Sequence, residues 1–182
     1  MDTILTARLL LRPWADTDAE RLYELARDPA IGPAAGWPPH TSVENSLEII
    51  HTALGRPETY AVVLREIGLP IGSAGIFDTD AQGAQPGEPE IGYWIGRSYW
   101  GHGYAPEATQ ALIRRCFEQL GHARVWCSYF DGNEKSRRSQ EKCGFRFHHT
   151  EPELYWDVTN EYKCTHFTCL TREDWLAGQN EQ

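Results

Sequence analysis

Residues 99–108 read Tyr-Trp-Gly-His-Gly-Tyr-Ala-Pro-Glu-Ala, and this stretch is the most informative part of the chain. Gly101 and Gly103 crowd a turn that opens directly onto a helix-forming segment with Pro106 near its start. Glycine lets the backbone turn with its N–H groups approachable, and the helix adds the positive end of its dipole. The stretch therefore predicts either a cradle for the pyrophosphate of a nucleotide-like cofactor or an ordinary strand-to-helix turn.

The bulk properties of the chain predict one soluble domain over residues 1–182. Its 182 residues are enough to bury a sizeable core. The mean hydropathy is −0.53, and no apolar run approaches the ~18 residues that a membrane span needs. Residues 1–6 lack the basic start and apolar core of a secretory signal, so a cytoplasmic protein with no membrane partner is expected.

Cysteine usage and charge argue against several further classes. The five cysteines form an odd set without a C-x-x-C pair, which argues against a disulfide framework and a zinc site, so no metal is expected. The net charge of −9 and the isoelectric point near 5.2 argue against a nucleic-acid partner, since no continuous basic patch appears. An acidic surface instead suits a cationic partner such as an amine.

Hydrophobic periodicity and turn signals predict the elements of the fold. The first half begins with a strand at residues 7–13 and a helix that starts at the capping box Thr17-x-x-Glu20. A second helix runs from the capping box Thr41-x-x-Glu44 to about Leu54, and a hairpin follows with strands at residues 59–65 and 71–77. The second half contains strand 90–95, helix 106–120, strand 123–130, helix 133–142 and strands 145–148 and 162–170. This order predicts an α/β (α+β) domain with a mixed, mostly antiparallel sheet of about seven strands.

A second motif follows the glycine stretch. Asn133 and Ser136 precede the run Glu-Lys-Cys-Gly-Phe at residues 141–145. Two further segments accompany these motifs: Thr-Ala-Arg-Leu-Leu-Leu-Arg at residues 6–12 and Glu-Ile-Gly-Tyr-Trp at residues 90–94. Together they resemble the GCN5-related N-acetyltransferase (GNAT) superfamily over nearly the whole chain, and within it the ribosomal-protein N-terminal acetyltransferases of the RimJ/RimL type.

The resemblance implies acetyl-coenzyme A as the co-substrate. Its pyrophosphate would bind the backbone N–H groups of the glycine stretch, at Gly101, His102, Gly103, Tyr104 and Ala105. Backbone groups of Trp94, Ile95 and Gly96 would pair with the pantetheine arm, where the GNAT-like sheet splays between the fourth and fifth predicted strands. Asn133 and Arg138 are the cofactor contacts that the second motif implies.

Two positions depart from the superfamily pattern. Trp100 stands where Gln or Arg is usual, and Gln140 stands where many members have a tyrosine that protonates the leaving thiolate. Ser136 matches a serine to which the branch assigns that proton transfer, and the alternative is a helix-start hydroxyl that bonds to the backbone. Asn133 either orients the pantetheine or the amine, or is simply the N-cap of its helix.

Acetyl transfer to an amine requires a neutral nucleophile and a donor for the developing oxyanion. An α-amino group titrates near ~7.7–8.0 and a lysine side chain near ~10.4, so an N-terminal amine needs little help from a base. Glu90, acting through water, is the candidate base, and the alternative is an acidic residue merely solvated at a strand start. The oxyanion donor is expected to be a backbone N–H near Ile95.

The acceptor side is predicted to involve Trp37 and His40, either as substrate contacts or as packing residues. Three classes of function remain: an enzyme that acetylates a protein N-terminus or a small amine, a non-catalytic acyl-coenzyme A sensor, and a nucleotide-binding interaction domain. The third lacks a Walker Lys-Ser/Thr ending and a Rossmann strand order. A monomer and a homodimer are both compatible with the sequence.

Overall fold

A computed structural model of the chain describes residues 2–79 and 81–179, so residues 1, 80 and 180–182 of the predicted domain lie outside it. Within the described ranges there are eight strands: β1 Ile4–Leu5, β2 Leu9–Arg12, β3 Thr59–Leu64, β4 Leu69–Asp78, β5 Pro89–Ile95, β6 Arg124–Phe130, β7 Arg146–Trp156 and β8 Glu161–Thr171. The α-helices of the same ranges are α1 Ala19–Ala26, α2 Gly32–Ala35, α3 Val43–His51, α4 Tyr104–Arg114, α5 Glu134–Lys142 and α6 Arg172–Gln179. None of these helices has the length and apolar character needed to cross a membrane.

The strands form one mixed sheet in the order β1-β2-β3-β4-β5-β6-β8-β7. The pairs β1–β2, β2–β3, β3–β4, β6–β8 and β7–β8 are antiparallel, whereas β5 runs parallel to β6 with Glu90 opposite Trp126. The predicted mixed, mostly antiparallel sheet is therefore confirmed. It has eight strands rather than about seven because residues 4 and 5 pair with residues 10 and 11 as a further short strand. The splay of β5 and β6 beyond Glu90 stays a prediction.

The first two long helices begin at residues other than the predicted caps. The predicted capping boxes start at Thr17 and Thr41, but the side chain of Ser42 is the one that accepts an N–H of the first turn of α3. Before α1, residues 16–18 form a 3-10 turn in which the Asp18 carboxylate accepts the N–H of Ala15 at 3.0 Å. Each helix start needs acceptors for its unpaired N–H groups, and Ser42 supplies one for α3. The side chain of Asp18, the N-cap of α1, accepts from the residue before the 3-10 turn and caps no N–H of α1.

Several other element bounds also differ from the prediction. Helix α4 begins at Tyr104 rather than Pro106, because proline suits the first turn where no intrahelical N–H bond is needed, and residues 115–119 form a π-helical turn. Strand β7 extends to Trp156 because it pairs with β8 over most of its length. Helices α2 and α6 were not predicted, and α2 places Pro33 in its first turn within a segment rich in helix breakers.

Two compact units make up the chain, and the first comprises the residues up to Gly75 together with Tyr93–Ala108. Its core buries apolar side chains of β3, α1 and α3, among them Leu22, Ile50 and Val63, around Trp14. The apolar residues of both helices recur at a spacing of three or four, so each helix turns one face to this core.

The second unit comprises Ile76–Gly92 and the chain from Thr109 onward. Trp126 and Phe167 form a buried cluster in it with Ala81. The side chain of Gln140 is fully buried in the same unit. Burial of its amide is tolerated because the polar atoms are hydrogen bonded, as described below.

Within the first unit, β4 and the end of β5 approach each other closely at Gly72. A Cβ atom on Gly72 would lie 2.2 Å from the carbonyl oxygen of Trp94 and 2.9 Å from Cα of Ile95. Both contacts are with backbone, which cannot rotate away. The Trp94–Ile95 peptide can therefore lie this close to β4 only because residue 72 has no side chain.

We expect Gly72→Ala to lower the free energy of unfolding by at least about 2 kcal/mol, because the added methyl overlaps the backbone of β5. Urea denaturation of both proteins measures this. Gly178→Ala is the matched control, since a Cβ there meets nothing within 4 Å. Equal destabilisation by the two substitutions would contradict the argument.

Candidate active site

The glycine loop, residues 100–105, connects the end of β5 with α4 in the first unit. Gly101 and Gly103 have φ angles of +81° and +80°, a left-handed conformation that glycine adopts without strain. In the described ranges, no backbone carbonyl accepts a hydrogen bond from the N–H groups of Gly101, His102 or Gly103. The first N–H groups of α4 lack intrahelical acceptors as well. The loop thus presents a series of donors at the positive end of an 11-residue helix.

The carboxylate of Glu107 fastens this loop to the segment before β2. Its Oε1 accepts hydrogen bonds from the Thr6 hydroxyl at 2.6 Å and from the N–H of Arg8 at 2.8 Å. Its Oε2 accepts from Nε of Arg8 at 2.7 Å. The same guanidinium donates through Nη1 to the carbonyl of His102 at 2.9 Å and lies 4.6 Å from the centre of the Tyr104 ring. Arg8 therefore holds the loop by a carbonyl and an aromatic face, and leaves the N–H donors untouched.

These contacts stabilise the charged form of Glu107. Burial raises its pKa, but the hydrogen bonds from Thr6 and Arg8 together lower it by more, so the net pKa lies below its ordinary value. The sequence contains Glu107 and Arg8 within recognised motifs but gives no contact between them. Arg8 and Glu107 are the residues of the candidate site that sequence reasoning missed.

The backbone at the end of β5 is partly used by other groups of the first unit. The indole N–H of Trp100 donates to the carbonyl of Ile95 at 2.6 Å, and the N–H of Gly96 donates to the carbonyl of Ile71 at 2.7 Å. Trp100, which stands where Gln or Arg is usual in the superfamily, thus still makes a polar contact through its indole N–H. The Ile95 carbonyl and the Gly96 N–H are therefore already hydrogen bonded within the unit. The predicted pairing of a pantetheine arm with this segment must rely on its other backbone groups.

Glu90 belongs to the second unit, where two hydroxyl groups hold its carboxylate. Ser128 donates to Oε1 at 2.5 Å, and Thr79 donates to Oε2 at 2.8 Å. The side chain is half-buried, and the residue lies opposite Trp126 in the parallel pair of strands. These contacts show that Glu90 is not merely a solvated acid at a strand start.

A buried amide sets the environment of Ser136 in the second unit. Nε2 of Gln140 donates to the Ser128 carbonyl at 2.8 Å and to Oγ of Ser136 at 3.1 Å, while Oε1 accepts from the Thr168 hydroxyl at 2.7 Å. These three bonds fix which way the amide points. The Ser136 hydroxyl is therefore an acceptor toward Gln140, and such a hydroxyl keeps its hydrogen for donation to another group.

Asn133 is the N-cap of α5, as its structural interpretation predicts. Its Oδ1 accepts the N–H of Ser136 at 3.2 Å. Further along this helix, Arg137 is engaged by the carboxylates of Glu134 and Glu141, whereas Arg138 is exposed. Of the two arginines, Arg138 is thus the better placed to meet an anionic group.

His40 and Trp37 differ in how far the first unit buries them. His40 is 7% exposed, its Nδ1 lies 2.8 Å from Oγ of Ser46, and its ring contacts that of Trp37. Burial lowers the pKa of His40 from 6.5 to about 4, so the imidazole is neutral. These facts favour packing over substrate contact for His40. Trp37 remains half-exposed and meets Trp94 edge to face, with ring centres 5.5 Å apart.

Comparison with known proteins agrees with this fold. Residues 8–146 match the family model described as an acetyltransferase (GNAT) domain. The uncharacterized N-acetyltransferase p20 of Bacillus licheniformis is 32% identical over 130 residues, covering 69% of this chain and 71% of p20. YdaF of Bacillus subtilis, named provisionally as a ribosomal N-acetyltransferase, is 45% identical over 56 residues, or 31% of either chain. The crystal structure of a GNAT-family acetyltransferase from Bacillus anthracis superposes with a TM-score of 0.82 at 21% identity, covering 94% of this chain and 99% of that one.

The chain therefore belongs to the GNAT acetyltransferase family. It is an acyltransferase that uses acetyl-coenzyme A as its co-substrate, and an amine is the acceptor that the family implies.

We expect Glu107→Gln to raise the KM for acetyl-coenzyme A more than it lowers kcat, because an amide NH2 at Oε2 would oppose the Arg8 guanidinium and release it from His102. Unfolding should become easier by about 1–2 kcal/mol, the usual loss for charge-assisted bonds at a partly exposed site. Steady-state kinetics and urea denaturation measure the two effects. Glu118→Gln, an exposed acid further along the chain, is the control. We call the Arg8–Glu107 ion pair the clamp of the glycine loop. An unchanged KM would show that the clamp does not position the loop.

The buried neutral His40 predicts a pH dependence of stability. Its pKa is about 4 in the folded chain and 6.5 when exposed, so the stabilisation is present above pH 6.5 and is lost as the pH falls toward 4. Relative to His40→Asn, the wild-type chain should lose about 2 kcal/mol of unfolding free energy between pH 7 and pH 4.5. Denaturant titrations at both pH values measure this difference. His122→Asn should follow the wild type, and parallel behaviour of wild type and His40→Asn would refute the assignment.

Proposed function

We propose that this protein transfers the acetyl group of acetyl-coenzyme A directly to a protein N-terminal α-amine, in a ternary complex. The observation that carries the cofactor half of the proposal is the glycine loop, whose N–H groups at residues 101–103 have no backbone acceptor in the described ranges and open onto α4. A series of N–H donors at a helix start is suited to a pyrophosphate. The chemistry supplied by the co-substrate is a thioester, which is open to attack by an unprotonated amine.

The cofactor contacts are proposed residue by residue. The N–H groups from Gly101 to Ala105 bind the pyrophosphate, and Pro106 ends the series because proline has no N–H. Backbone groups of Trp94, Ile95 and Gly96, apart from those already used by Trp100 and Ile71, pair with the pantetheine arm. Arg138 meets the nucleotide phosphates, and Asn133 orients the pantetheine from its position at the N-cap of α5.

The acid-base roles fall to two residues of the second unit. Glu90 accepts a proton from the attacking amine through water, and its two hydroxyl partners hold the carboxylate in one orientation. Ser136 donates its hydroxyl hydrogen to the leaving thiolate, with Gln140 fixing the position of the oxygen. A backbone N–H near Ile95 stabilises the oxyanion. The assignment of these residues and the glycine loop to one reaction rests on the superfamily resemblance.

An α-amine is the acceptor that best matches this modest machinery. At ~7.7–8.0 its pKa is close to neutrality, so a water-linked carboxylate suffices, whereas a lysine at ~10.4 needs a stronger base. The RimJ/RimL-type motifs and the local similarity to YdaF both support a ribosomal-protein N-terminus. Trp37 is half-exposed, and its ring contacts those of His40 and Trp94. We propose that its exposed part contacts the first side chains of the acceptor.

We also propose that residues 1–182 act as one catalytic domain in the cytoplasm. None of the five cysteines, all within the described residues, is in a disulfide bond, which fits a reducing compartment. A monomer and a homodimer are both compatible with the proposed reaction.

Thiol release from acetyl-coenzyme A, measured across a panel of acceptors, tests the proposal. The panel contains peptides with the N-termini of ribosomal proteins, the same peptides with blocked α-amines, free lysine side chains, and small amines such as polyamines and aminoglycosides. Turnover confined to free N-termini is the expected result. Turnover confined to small amines would overturn the acceptor assignment alone. Tight binding of acetyl-coenzyme A without turnover of any amine would instead indicate an acyl-coenzyme A sensor.

The proposed role of Ser136 predicts a separation of chemistry from binding. Ser136→Ala should lower kcat by about tenfold or more while the Kd for acetyl-coenzyme A stays unchanged, since only the proton donor is lost. Isothermal titration and steady-state kinetics provide the two numbers. Ser139→Ala, three residues along the same helix, is the matched control. Unchanged turnover of Ser136→Ala would remove this hydroxyl from the mechanism.

A further inference from the structure

Three metal-ligating side chains meet at one end of the β6–β8 pair, in the second unit. Asp131, Cys164 and His166 each offer one ligand atom, and these atoms lie within 4.8 Å of one another. None of the three belongs to the residues assigned above to acetyl transfer. Cys164 is a free thiol and half-buried.

The strand register explains the grouping. Cys164 and His166 lie two positions apart on β8, so both side chains project from the same face of the strand. Thr165 between them is fully buried on the opposite face. Asp131 follows β6 directly, and its N–H donates to the carbonyl of Cys164 at 2.9 Å, which brings its side chain beside the other two.

The imidazole of His166 is held in the manner of a metal ligand. Its Nδ1 lies 2.8 Å from the hydroxyl of Thr150, and its Nε2 lies 3.1 Å from Oδ1 of Asp131. Ligating histidines commonly donate one ring N–H to such an outer partner, which fixes the tautomer and presents the other nitrogen to the metal. When Nδ1–H donates to Thr150, Nε2 and the Asp131 carboxylate are both acceptors. A cation between them then removes their repulsion.

The donor set selects the metal. One thiolate, one imidazole and one carboxylate are ligands that Zn²⁺ takes in tetrahedral sites, whereas Ca²⁺ and Mg²⁺ require oxygen donors throughout. Zinc bonds of roughly 2.0–2.3 Å place tetrahedral ligand atoms roughly 3.4–3.6 Å apart. The three ligand atoms lie within 4.8 Å of one another, so each pair must approach by at most about 1.4 Å. Asp131 is 74% exposed and can make this adjustment by rotating its side chain.

We propose that Asp131, Cys164 and His166 form a zinc-binding site, with the fourth coordination position open to water or to another ligand. Binding releases the proton of the Cys164 thiol and requires Nε2 of His166 to be without a hydrogen, as it is when Nδ1–H donates to Thr150. The site is independent of the acetyl-transfer residues, and its test does not use activity as the readout. The alternative is a metal-free hydrogen bond from Nε2–H of His166 to Asp131.

Metal titration of the purified, chelator-treated chain tests the proposal, with Co²⁺ as the spectroscopic probe and Zn²⁺ as competitor. The expected result is one Co²⁺ per chain, with sulfur-to-cobalt charge-transfer absorption that equimolar Zn²⁺ abolishes. Cys164→Ser should lose this absorption, and His166→Ala and Asp131→Asn should weaken binding at least about tenfold. Cys169→Ser is the matched control, because Cys169 is another half-buried thiol of β8 that lies outside the group.

A second measurement separates loss of a ligand from loss of the fold. Zn²⁺ should raise the Tm of the wild type and of Cys169→Ser, since a ligand that binds the folded chain stabilises it, and should leave the Tm of Cys164→Ser unchanged. Charge-transfer absorption retained in Cys164→Ser, or an affinity that none of the three substitutions alters, would overturn the proposal. So would the absence of stoichiometric binding to a folded wild-type chain.

Discussion

A loop that is to offer its N–H groups to an anion must be held in place without using those groups, and the glycine loop of the first unit meets this constraint. The ties of the glycine loop involve carbonyls and side chains. The carbonyl of His102 accepts from Arg8, the carbonyl of Trp100 lies 2.9 Å from Nδ1 of His102, and the indole of Trp100 donates to Ile95. Glu107 anchors Arg8 in turn. The N–H groups are left available because other groups of the same loop provide its rigidity.

The second unit meets a related constraint through a single buried amide. Gln140 is fully buried, yet its Nε2 donates twice and its Oε1 accepts once, so the polar atoms are satisfied. Both amide hydrogens are used within the second unit, so Gln140 has none to offer to another group. Its effect is instead to hold the oxygen of Ser136, the residue proposed as the proton donor.

The fold was predictable from sequence to the extent that its signals are local. The hairpin of β3 and β4, the strand before the glycine loop and the N-cap at Asn133 follow from turn residues, alternation and capping chemistry, which act within a few residues. The short β1, the length of β7 and the caps at Ser42 and Asp18 did not, because pairing partners and competing caps decide them. The site divides in the same way. The motif residues proposed for it can be read from local sequence, whereas the Arg8–Glu107 clamp joins residues far apart in sequence, and no spacing rule contains such a pair.

The two departures from the superfamily pattern have the same physical outcome in separate parts of the chain. Trp100 donates to the carbonyl of Ile95 at the end of β5, and Gln140 donates to the carbonyl of Ser128 within β6. Each substituted side chain thereby fastens a neighbouring segment to a strand by a main-chain carbonyl. Arg8 and Glu107, which lie within the motifs, hold the glycine loop in a comparable way. Agreement with the motifs therefore does not by itself separate residues that hold the backbone from residues proposed to meet a ligand. None of the contacts named here involves Trp37, the side chain proposed to meet the acceptor. The segment around α2, with Trp37 at its end, is where this chain combines helix breakers with a half-exposed aromatic ring.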